Sequence, residues 1–100
     1  MPTGKFFAGW KGAKALHWKA KVEVTLKEEV HDPQGTAVEN SLKALGFGNV
    51  HRVRVGKYLE LFLEAESQEE AAARVEEMAR RLLSNPVIED YEYTLQEVKP

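Results

Sequence analysis

The side chains that carry most protein chemistry are sparse in this sequence and badly spaced for it. There is no cysteine, which removes disulfides, thiolate metal sites and cysteine nucleophiles together. His17, His31 and His51 show neither the i,i+4 spacing nor the cysteine partners of metal sites. They read as ordinary exposed histidines in an arm, a loop and a strand. Ser41, Ser67 and Ser84 fall in a helix, a cap and a helix end, and none sits at the strand-to-helix elbow that an activated serine needs. The adjacent acids Glu28/Glu29 and Glu76/Glu77 are better explained as solvated surface than as the paired carboxylates of a glycosidase. Gly46-Phe47-Gly48 lacks the remaining pieces of a dinucleotide loop, and no Gly-x-x-x-x-Gly-Lys-Ser/Thr phosphate loop occurs. The expectation is no catalytic, cofactor-binding or metal-binding residue in this chain.

Two local patterns hold more. Asp32-Pro33-Gln34-Gly35 places a side-chain acceptor at a helix N-cap and a proline at the first helical position, where its missing N–H costs nothing. The backbone N–H groups and the Gln34 amide there offer a cradle for an anion or a partner carbonyl, against the plainer reading of simple capping. Arg52, Arg54 and Lys57 put three positive charges in one short stretch, suited to an acidic partner or a phosphate, or else to guarding an exposed strand edge.

The elements that must position these residues follow from periodicity. Ala20, Val22, Val24 and Leu26 alternate with Lys19, Lys21, Glu23 and Thr25, the period of a strand with one buried face. A helix is predicted over residues 33–45, with Ala37, Val38, Ser41, Leu42 and Leu45 at helical spacing and Gly46 at the left-handed stop. Val53 and Val55 predict a second strand, turned by Gly56-Lys57 in a type II′ hairpin into a third strand, in which Leu59, Leu61, Leu63 and Ala65 alternate with Tyr58, Glu60, Phe62 and Glu64. Ser67 to Glu70 has capping-box spacing. The helix it opens carries an apolar stripe of Ala71, Ala72, Val75, Met78, Ala79, Leu82 and Leu83 and is stopped at Asn85-Pro86. Tyr91, Tyr93 and Leu95 alternate in a last strand.

The expected fold class is therefore α+β: a β-α-β-β-α-β antiparallel sheet with two helices on one face, ferredoxin-like. The other face should show Lys19, Lys21, Glu23, Tyr58, Glu60, Phe62, Glu64, Asp90, Glu92 and Thr94. Aromatics set among both charge signs suit an association surface better than a merely solvated one.

Charge and length set outer bounds. One hundred residues with 43% apolar content make one core and not two. Net charge is −2, yet residues 1–21 carry five Lys and no acid, leaving −7 for residues 22–100. An acidic body is a poor nucleic-acid surface. Residues 1–17 read as a basic N-terminal extension and 18–100 as a single domain. No apolar run approaches the ~20 residues of a membrane span, and Phe6 to Trp10, followed by Lys11 and Lys14, is too short for a secretory signal. A cytoplasmic protein is expected.

Four segments in order carry a family resemblance: Lys21 to Lys27, Asp32 to Gly35 with Ala37-Val38-Glu39, Val53 to Leu61, and Asn85 to Tyr91. Over about Trp18 to Glu97 the chain resembles the small PurS-type subunit of phosphoribosylformylglycinamidine synthase, of purine biosynthesis. The resemblance implies a PurS-like fold and membership of an ATP- and glutamine-dependent carbon-nitrogen ligase complex. In such a complex a glutaminase subunit frees ammonia and a large synthetase subunit, using ATP and Mg, places the nitrogen on formylglycinamide ribonucleotide. It also implies a homodimer or dimer of dimers, and a small subunit that holds the two enzymes together. The missing cysteine and phosphate loop fit that division of labour.

On this reading Asp32, Gln34, Gly35, Arg54, Gly56, Lys57 and Tyr58 are expected to touch the partner subunits. Lys21, Glu23, Tyr58, Glu60, Phe62, Asp90 and Glu92 are expected to form the homo-oligomer face. Two readings from other classes stay open. One is a stand-alone acylphosphatase-type enzyme, although the paired Arg and Asn of its anion loop are not assembled here. The other is a single-stranded nucleic-acid module using sheet aromatics.

Overall fold

The computed structural model describes residues 15–99. Strand β1 (Leu16–Leu26) is central, flanked by β2 (Gly56–Ala65) and β3 (Glu89–Val98), both antiparallel to it, in the order β2-β1-β3. Helix α1 (Pro33–Ala44) joins β1 to β2, and α2 (Gln68–Met78) joins β2 to β3, extended by a π-helical turn over Ala79–Leu83. The α+β class and the antiparallel sheet agree with expectation. β1 begins at Leu16, two residues before Trp18, and places His17 within the strand.

Period-2 patterning does the positioning. Trp18, Ala20, Val22 and Val24 are buried along β1 while Lys21, Glu23 and Thr25 are exposed. The buried row packs with Leu59, Leu61 and Leu63 of β2, Tyr91, Tyr93 and Leu95 of β3, and Val75 of α2. A second cluster joins Trp18, Ala65 and Ala71, and the Trp18 indole N–H donates to the Ala65 carbonyl at 3.2 Å. Small residues bring α2 close to the sheet, since Ala71, Val75 and Ala79 are all fully buried.

Three expectations are corrected. The first is the hairpin. Val53 to Val55 form no strand, because their hydrogen-bonding groups are used elsewhere. The Val55 N–H donates to Asp32 Oδ2 at 3.0 Å, and a Cβ on Gly35 would collide with the Val53 carbonyl, so the segment lies against the base of α1. Arg52, with φ of 57°, turns the chain into it from the left-handed region. The described order is thus β-α-β-α-β, and Gly56-Lys57 opens β2, with Gly56 opposite Thr25.

The second correction concerns the stripe of α2. The π turn adds a residue after Ala79, shifting the helical phase, so that Leu83 joins the core while Leu82 is 82% exposed. Ser84 closes the turn, its N–H and its hydroxyl both donating to the Ala79 carbonyl.

The third is that only α2 packs on the sheet. No residue of α1 belongs to either buried cluster, and Gly35 is its one buried residue. Among the described residues no helix is long and apolar enough to cross a membrane. The basic extension assigned to residues 1–17 lies, up to residue 14, outside the described residues.

Candidate interface sites

The expected partner-contact residues do not form one patch. Asp32, Gly35 and Arg54 meet at the base of α1. Asp32 caps the helix, with Oδ1 accepting from the Gly35 N–H at 2.9 Å, while its other oxygen holds Val55. Those two backbone donors hold its carboxyl below the ordinary range against the opposing effect of desolvation, with lesser help from the nearby Arg54 and His31. The carboxylate already takes the N–H groups that an anion would need, so the anion-cradle reading gives way to capping. The Gly35 N–H that would face a phosphate there is already taken by Asp32. Gln34 is exposed beside this cluster.

Along the same flank Glu39 is held below its usual range first by the Lys43 ammonium, with added help from the Val53 and Arg52 amides. Arg52 pairs with Glu28 at 3.6 Å. Arg54 is half-buried, and its Nη2 is enclosed without a hydrogen-bond partner among the described residues. It lines a recess of about 290 Å³ with Glu23, Thr25, Glu28, Asp90 and Glu92. An enclosed donor without an acceptor costs about 1–3 kcal/mol, so an acceptor brought by a docking chain would be used there.

Lys57 and Tyr58 point to opposite sides of β2. Lys57 shares the Val24 row and its ammonium donates to the Leu83 carbonyl at 2.9 Å, on the α2 side. Tyr58 shares the Glu23 row on the open face. Of the basic trio, Arg52 and Arg54 therefore stay together beside Glu28 and Asp32, while Lys57 is on the α2 side of the sheet.

The expected homo-oligomer residues, in contrast, are brought together. In successive rows the open face carries Phe62-Lys19-Gln96, Glu60-Lys21-Thr94, Tyr58-Glu23-Glu92 and Gly56-Thr25-Asp90. Phe62 is 62% and Tyr58 54% exposed. Lys19 lies 3.6 Å from Glu60 and 5.8 Å from the Phe62 ring centroid, in cation–π range. The Tyr58 hydroxyl donates to Glu60 at 2.9 Å. That bond, ahead of Lys19 and Lys21, lowers the Glu60 pKa while raising that of Tyr58. Glu64, next on this face, has both carboxylate oxygens enclosed without a partner among the described residues.

Sequence reasoning missed the exposed apolar residues of the α1 region: Val38 is 42%, Phe47 54% and Leu45 74% exposed. Their helical spacing reads the same whether the face meets the chain's own sheet or another subunit. Among the described residues no three His, Asp or Glu side chains converge where a metal ion could sit.

Residues 19–97 match the family model described as PurS, phosphoribosylformylglycinamidine (FGAM) synthase. The chain is similar to the phosphoribosylformylglycinamidine synthase subunit PurS of Bacillus subtilis, at 48% identity over 81 residues, covering 81% of this chain and 95% of that one. It also superposes on the structure of Thermus thermophilus PurS with a TM-score of 0.74 at 43% identity, covering 83% of this chain and 99% of that one. A chain in the structure of PurLQS from Thermotoga maritima gives a TM-score of 0.72 at 34% identity, covering 82% and 98%.

Proposed function

Because the chain belongs to the PurS family, whose members are subunits of phosphoribosylformylglycinamidine synthase, we propose that it is the small bridging subunit that holds a glutaminase subunit and an ATP-dependent synthetase subunit together. In that assembly formylglycinamide ribonucleotide becomes the formylglycinamidine ribonucleotide, with glutamine as nitrogen donor. ATP and Mg belong to the synthetase subunit, and this chain contributes binding rather than reacting groups. The related chain in the Thermotoga PurLQS structure supports membership of a complex.

The observation that carries the reading is helix α1. Twelve residues long, it buries none of its own side chains, and it presents Val38, Leu45 and, just beyond its end, Phe47 to solvent. A neighbouring cluster of exposed apolar residues marks a protein contact. The Asp32–Gly35 turn lies at the other end of the helix, with the half-buried Arg54, which also borders the acidic edge of the open sheet face. We assign α1 with both its ends, Gln34 included, to the catalytic partners. The open face of the sheet we assign to a second copy of the chain, giving a homodimer. Lys57, already engaged by Leu83, and Gly56, whose Cβ would strike the Val24 carbonyl, contribute through the shape of β2.

The test is reconstitution from separately purified subunits. Glutamine-dependent synthesis should require this chain, and the three proteins should co-purify with nucleotide and glutamine present. Full glutamine-dependent activity without the chain would sink the bridging role.

A further inference from the structure

Among the described residues the exposed large apolar side chains fall into three groups. Val38, Leu45 and Phe47 belong to α1 and its end, and Tyr58 and Phe62 to the open face of the sheet. Met78, Leu82, Val87 and Ile88 form the third, at the end of α2 and in the turn that follows it, and belong to neither of the surfaces assigned above. Leu82 is the most exposed of them. That exposure is built into the backbone, because the π turn sends Leu83 into the core and its neighbour outward. Three hydrogen bonds pin the end of the turn: the Ser84 N–H and hydroxyl donate to the Ala79 carbonyl at 2.9 and 2.8 Å, and the Lys57 ammonium reaches from β2 to the Leu83 carbonyl at 2.9 Å. A leucine carried on so fixed a backbone loses little freedom on docking, and π turns of this kind recur at functional sites.

The surface beside Leu82 has the form of a groove. Arg74, Met78 and Leu82, spaced four apart, run along α2 and its π turn as one ridge, and Glu77 and Arg81 as the next. A recess of about 390 Å³ is lined by these five side chains. A groove between two such ridges accepts a ridge from a second helix. Met78 and Leu82 supply its large apolar side chains. Arg74 is paired with Glu70 at 3.2 Å and Arg81 with Glu77 at 2.8 Å, and in each pair the arginine is the more exposed member. The hydrogen bond to each glutamate uses one guanidinium nitrogen. A guanidinium has five N–H donors, so both arginines keep donors for a second carboxylate.

We propose that this groove is a docking site for an acidic amphipathic helix of an enzyme subunit in the same complex, which seats an apolar side chain between Met78 and Leu82 and sets carboxylates beside Arg74 and Arg81. This rests on the bridging reading above, and adds a second docking surface and the chemistry of what fills it. Size supports it. A stable protein contact engages about 20–30 residues a side, and residues 33–47, α1 and its end, fall short of one such side. A chain that holds two enzymes at once therefore needs further surface. The lining residues all come from α2 and its π turn, so the groove shares no residue with the α1 surface.

The test is a titration of the full chain into the two purified enzyme subunits with ATP, Mg, glutamine and formylglycinamide ribonucleotide, read as the chain concentration that gives half-maximal synthesis. Leu82→Ser should raise that concentration by about tenfold or more, as loss of a central apolar anchor does, with the wild-type rate recovered at saturating chain. Leu82→Met keeps the apolar volume and should stay within about threefold of the wild type. Arg81→Glu should raise the concentration as well, and the difference from wild type should shrink with added salt. Both positions are exposed, and circular dichroism checks that the variants fold. Either Leu82→Ser or Arg81→Glu at the wild-type value would overturn the proposal. So would a Leu82→Ser chain with altered self-association in sedimentation equilibrium, which would place a second copy on the groove. A chain dispensable for glutamine-dependent synthesis rejects the bridging reading itself, whereas a required chain whose variants assemble like the wild type rejects the groove alone.

Discussion

At the residue scale Asp32 shows how one side chain converts a common cap into a joint. An N-cap aspartate needs a single oxygen for the helix, and here the second oxygen reaches 23 residues ahead to Val55. Asp32→Asn retains one acceptor oxygen and should keep the Gly35 bond while releasing Val55. Amide exchange would then quicken by roughly tenfold at Val55 and little at Gly35, whereas Asp32→Ala should quicken both. The pH dependence has a definite sign. The Asp32 carboxyl is held below its ordinary value in the folded chain, so the stabilisation it gives is complete above about pH 4 and is lost as pH falls through the depressed folded value. In a titration from roughly pH 6 to about 2, the Val55 amide signal should move only below the ordinary carboxylate range. Movement at higher pH would show that the bond does not depend on Asp32 ionisation.

At the element scale, strict alternation made β1, β2 and β3 legible. It also put Lys21, Glu23, Tyr58, Glu60, Phe62, Asp90 and Glu92 on one face without any tertiary information. Helix boundaries were legible from Asp32-Pro33 and Ser67, with one shift: the Glu70 side chain accepts from the Glu66 N–H at 2.7 Å rather than from Ser67. Two features were hidden for physical reasons. Val53 and Val55 have strand propensity, but Asp32 takes the amide a ladder would have used, a tertiary override of local preference. The π turn at Ala79–Leu83 has no sequence signature, and it moves Leu82 from core to surface. That displacement can be measured by urea unfolding. Leu82→Ser should change stability by no more than about 0.5 kcal/mol, as for an exposed site. Ala79→Leu, at a fully buried position against the sheet, should cost about 1–3 kcal/mol through overpacking. An uninterrupted α-helix would make Leu82→Ser the more damaging of the two, since it would bury Leu82.

At the scale of the whole molecule the chain presents two unlike surfaces. The open sheet face has mixed charge and suits a reversible contact between copies, while α1 and the segment returning from it show apolar residues that the chain's own core leaves uncovered. Part of this was unreadable in the sequence, because a helix with Val38, Leu42 and Leu45 at core spacing is ordinarily a helix against its own sheet. The two cases separate experimentally. If α1 served the chain's own core, replacing Leu45 and Phe47 by serine would destabilise the isolated protein by several kcal/mol, as large apolar deletions do. With these residues 74% and 54% exposed, the paired substitution should instead leave the unfolding free energy of the isolated chain within about 0.5 kcal/mol per site. Its effect should appear only in the assembly, as reduced co-purification with the catalytic subunits and a matching fall in glutamine-dependent synthesis. Self-association through the open sheet face, as proposed, should be unchanged, since neither residue lies on that face. Unchanged assembly with both serines in place would remove α1 from the partner contact and leave the Arg54 recess to account for it.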